Sequence, residues 1–461
     1  MDRAAEGHDW RSPATWPRRW LAVVFAASAV YSLLVFIVSS DVPHVTWGLL
    51  SACGYGLALI VLLAWRRRGA DVAVVLAFCG GLLAPLSYLI ANGLEQPEVA
   101  VIAQSGMTLL RHGTPYPSSA ALAATTNPNA YNPYLPVMSV FGLPRALADS
   151  PLTDPRIWFG LVFIVVFWLA LRRAGACDPG RWALLVTGSP VIAFTLATGG
   201  DDAPMVAFLC LGFAYLWASR SAGVEPVRAG IALGIAAAMK ATAWPAVAVG
   251  IALLAAALGW RAALKFTAAA LAVVAVCVGP FLVHPRALTE NTVLFPLGLA
   301  HVVSAAASPL PGHLIADTGH LGHTIVVAAL ALAGVAVAAS LIFRPPRTVP
   351  RAMLLLVGAM ALMFLLAPST RYGYFIYPLA LVIWLAAVLA GRRAAGSGDT
   401  PEPPAPAGER SAQPAHRRTN FLHLPLNVYP LTDRRGLCPV LGVYSGPRAA
   451  IKAGSTTGSR S

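Results

Sequence analysis

Apolar runs of about 13 to 22 residues recur along the chain, separated by short polar breaks, at 20–38, 47–65, 72–91, 156–171, 182–197, 204–218, 229–241, 244–258, 262–283, 323–343, 350–367 and 373–389. A hydrocarbon core about 30 Å thick takes about 20 apolar residues of helix to cross, and within it each backbone group must be bonded inside its own helix. The pattern therefore predicts an all-α, polytopic integral membrane helix bundle of about twelve spans. Runs 229–241 and 244–258 are short for a full crossing and are separated by Lys240 and Trp244-Pro245. They fit either one broken passage or a hairpin of two short helices.

Charge chooses the hairpin. With the N-terminus inside, twelve spans put Arg66-Arg67-Arg68, Arg172-Arg173, Arg181, Arg220, Arg228, Arg261, Lys265, Arg344, Arg347, Arg351 and Arg392-Arg393 on the cytoplasmic side, as positive loops require. A single passage over 229–258 would send the later arginine clusters outside. The same rule demotes 134–147 to an interfacial or re-entrant helix, since Pro133, Pro136 and Pro144 interrupt a stretch too short to span. The expected organisation is a cytoplasmic segment 1–19, a transmembrane domain 20–392 with long outer loops 92–155 and 284–322, and a cytoplasmic tail 393–461. Loops of that length in a compact bundle are uncommon unless they are functional or disordered. The first apolar run, although preceded by Arg18-Arg19, has span length and no small-residue cleavage site, so it reads as an uncleaved anchor.

Composition agrees, with 57% hydrophobic and 11% charged residues. The formal net charge of +14 follows from the inner loops and tail, and calls for no nucleic-acid partner. After Arg393 the chain turns to Ala, Gly, Ser, Pro and Arg, as in Thr400-Pro401-Glu402-Pro403-Pro404, a composition expected to stay disordered and at most to graze membrane lipids. Six scattered cysteines form neither a CxxC nor a Cys/His pattern, so neither disulfides nor zinc are expected. His301, His313, His320 and His323 are too irregularly spaced for a metal site.

Chemistry must then come from polar residues kept near the outer face. Glu95-Gln96-Pro97-Glu98 opens the first long loop, followed by Gln104-Ser105-Gly106 and Arg111-His112-Gly113-Thr114-Pro115-Tyr116; a carboxylate in a membrane-facing cleft can take a proton from an attacking hydroxyl, though two loop glutamates are as readily plain solvated charges. Tyr131-Asn132-Pro133-Tyr134 is a stiff aromatic entry to the interfacial segment. In Gly199-Gly200-Asp201-Asp202-Ala203-Pro204 one acid would suffice to cap the following helix, yet there are two; adjacent carboxylates are able to hold a divalent cation or to orient a hydroxyl. Lys240 lies within an apolar stretch, where its desolvation must be offset by a partner such as a phosphate. Arg371 begins Arg371-Tyr372-Gly373-Tyr374 at the outer start of the last span; it can grip phosphate oxygens bidentately, or belong to an ordinary interfacial aromatic girdle.

In order and topology these clusters resemble the actinobacterial polytopic glycosyltransferases of GT-C type, closest to family 87: the acid after an early span, Gly106, 112–116, 132–136, 199–204, 234–245 around Lys240, and Arg371-Tyr372. The resemblance spans about residues 20–392. It implies transfer of a hexose, most often mannose, from a polyprenyl-phosphate carrier to a cell-envelope glycolipid or polysaccharide at the outer face of the plasma membrane, with inversion at the sugar carbon. Carried onto this sequence, it implies Glu98 as base with Glu95 in reserve, and Asp201 and Asp202 orienting the acceptor or holding a divalent cation. Lys240, Arg371 and Tyr372 would bind the donor phosphate. His112, Tyr116, Tyr131, Tyr134, Trp244 and Tyr374 would line the substrate cleft. The family commonly has an aspartate where Glu98 stands. Two other classes fit the composition: a secondary transporter carrying a small solute or lipid intermediate, against which stand the absence of visible inverted repeats and the gathering of acids on one face, and a non-catalytic scaffold.

Overall fold

The computed structural model describes residues 18–66, 68–219, 223–304 and 306–396, with side chains up to 392. By contacts the chain divides into Met1–Ala394 and Ala395–Ser461, and the helices below belong to the first of these, save the last two residues of the final helix. The segment 1–17 and the tail from 397 onward, including the expectation that the tail is disordered, lie outside the described residues.

Fourteen helices carry the architecture. They are α1 (Arg18–Val38), α2 (Val42–Ala64), α3 (Gly69–Ala91), α4 (Pro97–His112), α5 (Pro155–Ala174), α6 (Pro179–Thr187) and α7 (Pro190–Thr198). After them come α8 (Asp202–Ala218), α9 (Glu225–Met239), α10 (Trp244–Leu258), α11 (Trp260–Val278), α12 (His320–Phe343), α13 (Val349–Leu366) and α14 (Ile376–Gly396). Helix α14 thus continues four residues past Arg392, where the tail was expected to begin. The one β interaction among the described residues is an isolated parallel bridge between Ala307 and Thr370.

Among the described residues nine helices are long and apolar enough to cross a membrane, or ten if the bent pair α6–α7 counts as one span. That is fewer than the twelve runs anticipated, and the three runs that differ do so for identifiable reasons. Run 182–197 is broken at Ser189-Pro190 by a 62° bend. Run 204–218 is the 17-residue helix α8, buried along most of its length, so protein rather than lipid surrounds it. Run 229–241 ends with α9 at Met239, and Lys240 leaves the helix in an extended conformation.

Breaks in lipid are tolerable only where the freed backbone groups find partners. At the α6–α7 bend the carbonyl of Gly188 accepts a hydrogen bond from the Tyr55 hydroxyl at 2.7 Å. A π-turn at Cys79–Leu83 in α3 is treated likewise: the carbonyl of Gly81 accepts from Trp47 Nε1 at 2.9 Å and from Ser51 Oγ at 3.3 Å. The core is built from α5, α7, α8, α9 and α14, around Phe159, Phe163, Phe167, Phe213, Tyr377 and Trp384.

The expected interfacial helix 134–147 is instead a 3₁₀ turn, Pro136–Gly142, followed by the five-residue helix Leu143–Leu147. The three prolines prevent a continuous helix. The segment packs on α4 through Gly106 and Gly142: a Cβ on Gly106 would collide with the Gly142 backbone, and one on Gly142 with the Ile102 carbonyl. The two long loops are tied together: Asn291 Oδ1 accepts from the Asn132 backbone at 2.8 Å, and the Tyr131 ring stacks on Phe295 at 4.3 Å.

Candidate active site

Several elements end at one cavity of about 1180 Å³. Its walls come from the α1–α2 turn, the start of α4, the loop around Tyr131 and Tyr134, the α7–α8 turn, the break after α9, the second long loop, and the entry to α14.

Each charged group arrives by a local device. Gln96, extended at φ −76° and ψ 153°, is the N-cap of α4, and Pro97 sits at the first helical position, where its missing N–H costs nothing. That places Glu98 in the first turn. Between α7 and α8, Gly200 takes φ +84°, a left-handed conformation that favours glycine, and turns the chain so that Asp201 and Asp202 enter the cavity. Lys240 follows the C-terminus of α9, whose Met239 carbonyl accepts from the Leu135 backbone at 2.9 Å, so Tyr134 lies beside it. Arg371 is fixed by the Ala307–Thr370 bridge: Thr370 N donates to Ala306 O and Ser308 N to Thr370 O, both at 2.9 Å.

Two ionic groups result. In the first, the Lys240 ammonium lies 2.5 Å from Asp201 Oδ2 and also contacts Asp202, while the Tyr377 hydroxyl donates to Asp202. Thr242 Oγ1 is 3.1 Å from the Tyr377 hydroxyl, and Lys240 Nζ stands 4.8 Å from the Tyr134 ring centre. In the second, Arg371 Nη1 lies 2.7 Å from Glu98 Oε1. The other oxygen of Glu98 is buried without a hydrogen-bond partner. Burial pushes the Glu98 carboxyl above the ordinary glutamate range, and Arg371 works against that rise.

Of the other residues singled out by the sequence, Tyr131, Tyr134, Tyr372 and Tyr374 line this cavity. Glu95 does not: it sits 3.8 Å from Arg156, a nearly fully buried side chain that also pairs with Asp154 at 2.9 Å and donates to the carbonyls of Leu94 and Ala197. That network ties the start of α4 to the end of α7. Burial raises the Glu95 carboxyl too, with Arg156 pulling it back. His112 is exposed in the last turn of α4, Tyr116 is buried with its hydroxyl on the Tyr134 carbonyl at 2.9 Å, and Trp244 is outside the cavity wall. The loop histidines hold backbone: His301 Nε2 bonds Thr125 O at 3.1 Å, His313 Nδ1 bonds Pro368 O at 3.0 Å and His323 Nε2 bonds Leu297 O at 3.0 Å.

The sequence reading missed His44, Asp41, Tyr377 and Arg156 as contributors. A polar side chain at the mouth of an apolar run was the available signal for His44, the same signal that flagged Asp201. As for a divalent cation at Asp201 and Asp202, both carboxylates already meet the Lys240 ammonium, which a metal would have to displace. The donor set does not suit one, and among the described residues no three His, Cys, Asp or Glu side chains converge elsewhere.

The family model of glycosyltransferase family 87 matches residues 132–368, just over half of the 461-residue chain. The chain belongs to glycosyltransferase family 87. It is thus a multi-pass membrane glycosyltransferase, with a sugar donor and an acceptor as its partners. No curated protein and no solved structure matches the chain. Within this family 87 member the matched stretch includes Asp201, Asp202 and Lys240, whereas Glu98 precedes it and Arg371 follows it. Folding brings all five to one cavity wall.

Proposed function

We propose that this glycosyltransferase moves a hexose, mannose in our reading, from a polyprenyl-phosphate carrier to a hydroxyl of a cell-envelope glycolipid or polysaccharide, at the outer face of an actinobacterial plasma membrane. The observation that carries the proposal is the pairing, in one cavity, of a buried carboxylate with two cations: Glu98 with Arg371, and Lys240 beside them on Asp201 and Asp202.

Glu98 accepts the proton of the acceptor hydroxyl as that oxygen attacks the sugar's anomeric carbon. The bond from this carbon to the phosphate oxygen breaks, and the electron pair leaves with the lipid phosphate. A phosphate is already a good leaving group, so it needs cations more than a general acid; Arg371 and Lys240 supply them, and Tyr372 flanks Arg371. Asp201 and Asp202 hold Lys240 in place and offer acceptors to a substrate hydroxyl. Attack opposite the phosphate converts a β-linked donor into an α-linked product. Tyr131, Tyr134 and Tyr374 line the cavity that would receive the sugar.

The test uses purified full-length protein, radiolabelled polyprenyl-phosphate mannose and a membrane lipid extract, comparing wild type with Glu98→Gln and Asp201→Asn. Label entering a new product with wild type alone supports the proposal. Failure of wild type to bind polyprenyl-phosphate sugars would end it.

A further inference from the structure

His44 lies near the start of α2, in a part of the chain that precedes the family-matched stretch by many residues. Its ring nevertheless lines the same cavity as Glu98. Four contacts fix it. Nδ1 is 3.1 Å from Ser39 Oγ and 3.5 Å from Asp41 Oδ2. Nε2 is 2.6 Å from the side-chain amide nitrogen of Gln96. The ring packs edge-on against Phe194 of α7 at 4.8 Å. With the Gln96 amide in this orientation, its N–H donates and Nε2 must be the acceptor, so the ring proton is on Nδ1, facing Ser39 and Asp41.

Gln96 is held on its other sides as well. Its backbone N–H donates to Thr198 O at 2.9 Å, and its Oε1 is pressed so close to Gly199 that a Cβ there would strike it. Gln96, two residues before Glu98, is thus wedged between α2 and the α7–α8 turn, where it meets Gly199, two residues before Asp201. We infer that His44 is a positioning residue, which through Gln96 sets the α4 N-terminus, and with it Glu98, against the Asp201–Asp202 turn. The α1–α2 hairpin is then a working part of the active site rather than an appended anchor. The inference rests on the proposal that Glu98 is the base.

The geometry makes a stereochemical prediction. A glutamine at position 44 can put an oxygen about where Nε2 sits, whereas an asparagine reaches only the Nδ1 position, on the wrong side for Gln96. In the transfer assay, His44→Ala and His44→Asn should lower kcat by roughly 10- to 100-fold, as expected of a base displaced by a fraction of an ångström to 1 Å. The donor KM should move far less than kcat, because His44 acts through Gln96 and bonds to neither phosphate-binding cation. His44→Gln should recover most of kcat. Gln96→Ala should match His44→Ala, and the double variant should be no worse than either, since both remove one linkage. Melting midpoints of all five should agree closely with wild type, separating positioning from general packing. Equal activity of His44→Ala and wild type, or equal rescue by asparagine and glutamine, would overturn the inference while wild-type transfer and an inactive Glu98→Gln left the function standing. Loss of wild-type transfer itself would remove both.

Discussion

Removing Lys240 should expose how much the site depends on internal neutralisation. Its ammonium is the cation for two adjacent carboxylates, and Lys240, Asp201 and Asp202 are each no more than 8% exposed. Lys240→Met keeps much of the side-chain volume but leaves two buried anions facing each other. Breaking a buried ion pair from one side costs about 3–5 kcal/mol, because the remaining charge stays desolvated and unpaired. Over roughly 370 described residues, at roughly 2.1 cal/mol/K of unfolding entropy each, that is a fall in melting midpoint of about 4–6 °C. Membrane proteins commonly unfold irreversibly, so the comparison belongs at one scan rate in one detergent. The companion variant Lys240→Met/Asp201→Asn/Asp202→Asn removes the stranded charges as well, and should recover most of the lost midpoint while remaining inactive in sugar transfer. A Lys240→Met midpoint equal to wild type, or a triple variant that melts no higher than Lys240→Met, would refute the reasoning.

Glu98→Gln should reduce transfer by about 10²- to 10⁴-fold, the usual range for a lost general base, yet bind the polyprenyl-phosphate donor more tightly, because Arg371 is released from its 2.7 Å ion pair; equilibrium binding of labelled donor reads this, and weaker binding would contradict it. The pH dependence has a definite sign. Burial raises the Glu98 carboxyl, so the folded state favours its protonated form: this group's contribution to stability is complete below the ordinary glutamate range and is lost as pH rises through the raised value. Activity runs the other way, since the base must be ionised. The acid limb of kcat/KM should therefore lie above the ordinary glutamate range, and Arg371→Met, which removes the opposing charge, should move it higher still; a limb that stays put in Arg371→Met would tell against the pairing. Arg156→Met should strand the buried Asp154 and lower stability by about 3–5 kcal/mol, with the loss visible in melting and in yield of folded protein.

The charged chemistry of this cavity was legible in the sequence because a low-dielectric surrounding makes each charge expensive, and Glu98, Asp201, Asp202, Lys240 and Arg371 stood out against apolar runs. What could not be read was partnership. Nothing in the spacing says that Glu95 faces Arg156 while Glu98, three residues on, faces Arg371; that follows from Pro97 opening a helix and from the Arg156 network anchoring the preceding carbonyl. Helix count suffered from the same cause. Hydropathy sees α8 and α9 as spans, but it cannot see that α8 is wrapped in protein, or that Lys240 ends a helix at the cavity instead of crossing with it. His44 was hidden because its importance depends on Gln96 and Phe194, both remote in sequence from it.

The Glu98–Arg371 pair also bears on how the proposed reaction would manage charge in a poorly solvated cavity. Before reaction, Glu98 is the anion beside Arg371. As the acceptor oxygen attacks, Glu98 takes up a proton and loses its negative charge, while the departing lipid phosphate gains one. Arg371, 2.7 Å from Glu98 at the outset, can change partner from the carboxylate to the phosphate, so the charge around it is nearly unaltered as the reaction proceeds. Where the effective dielectric is low, creating an unpaired charge would cost far more than in water. A site that only relocates a negative charge between two groups sharing one cation avoids that cost. Lys240, already bound by two carboxylates, is less free to change partner, which makes Arg371 the cation whose loss should raise the barrier to leaving-group departure more than it weakens binding of the donor.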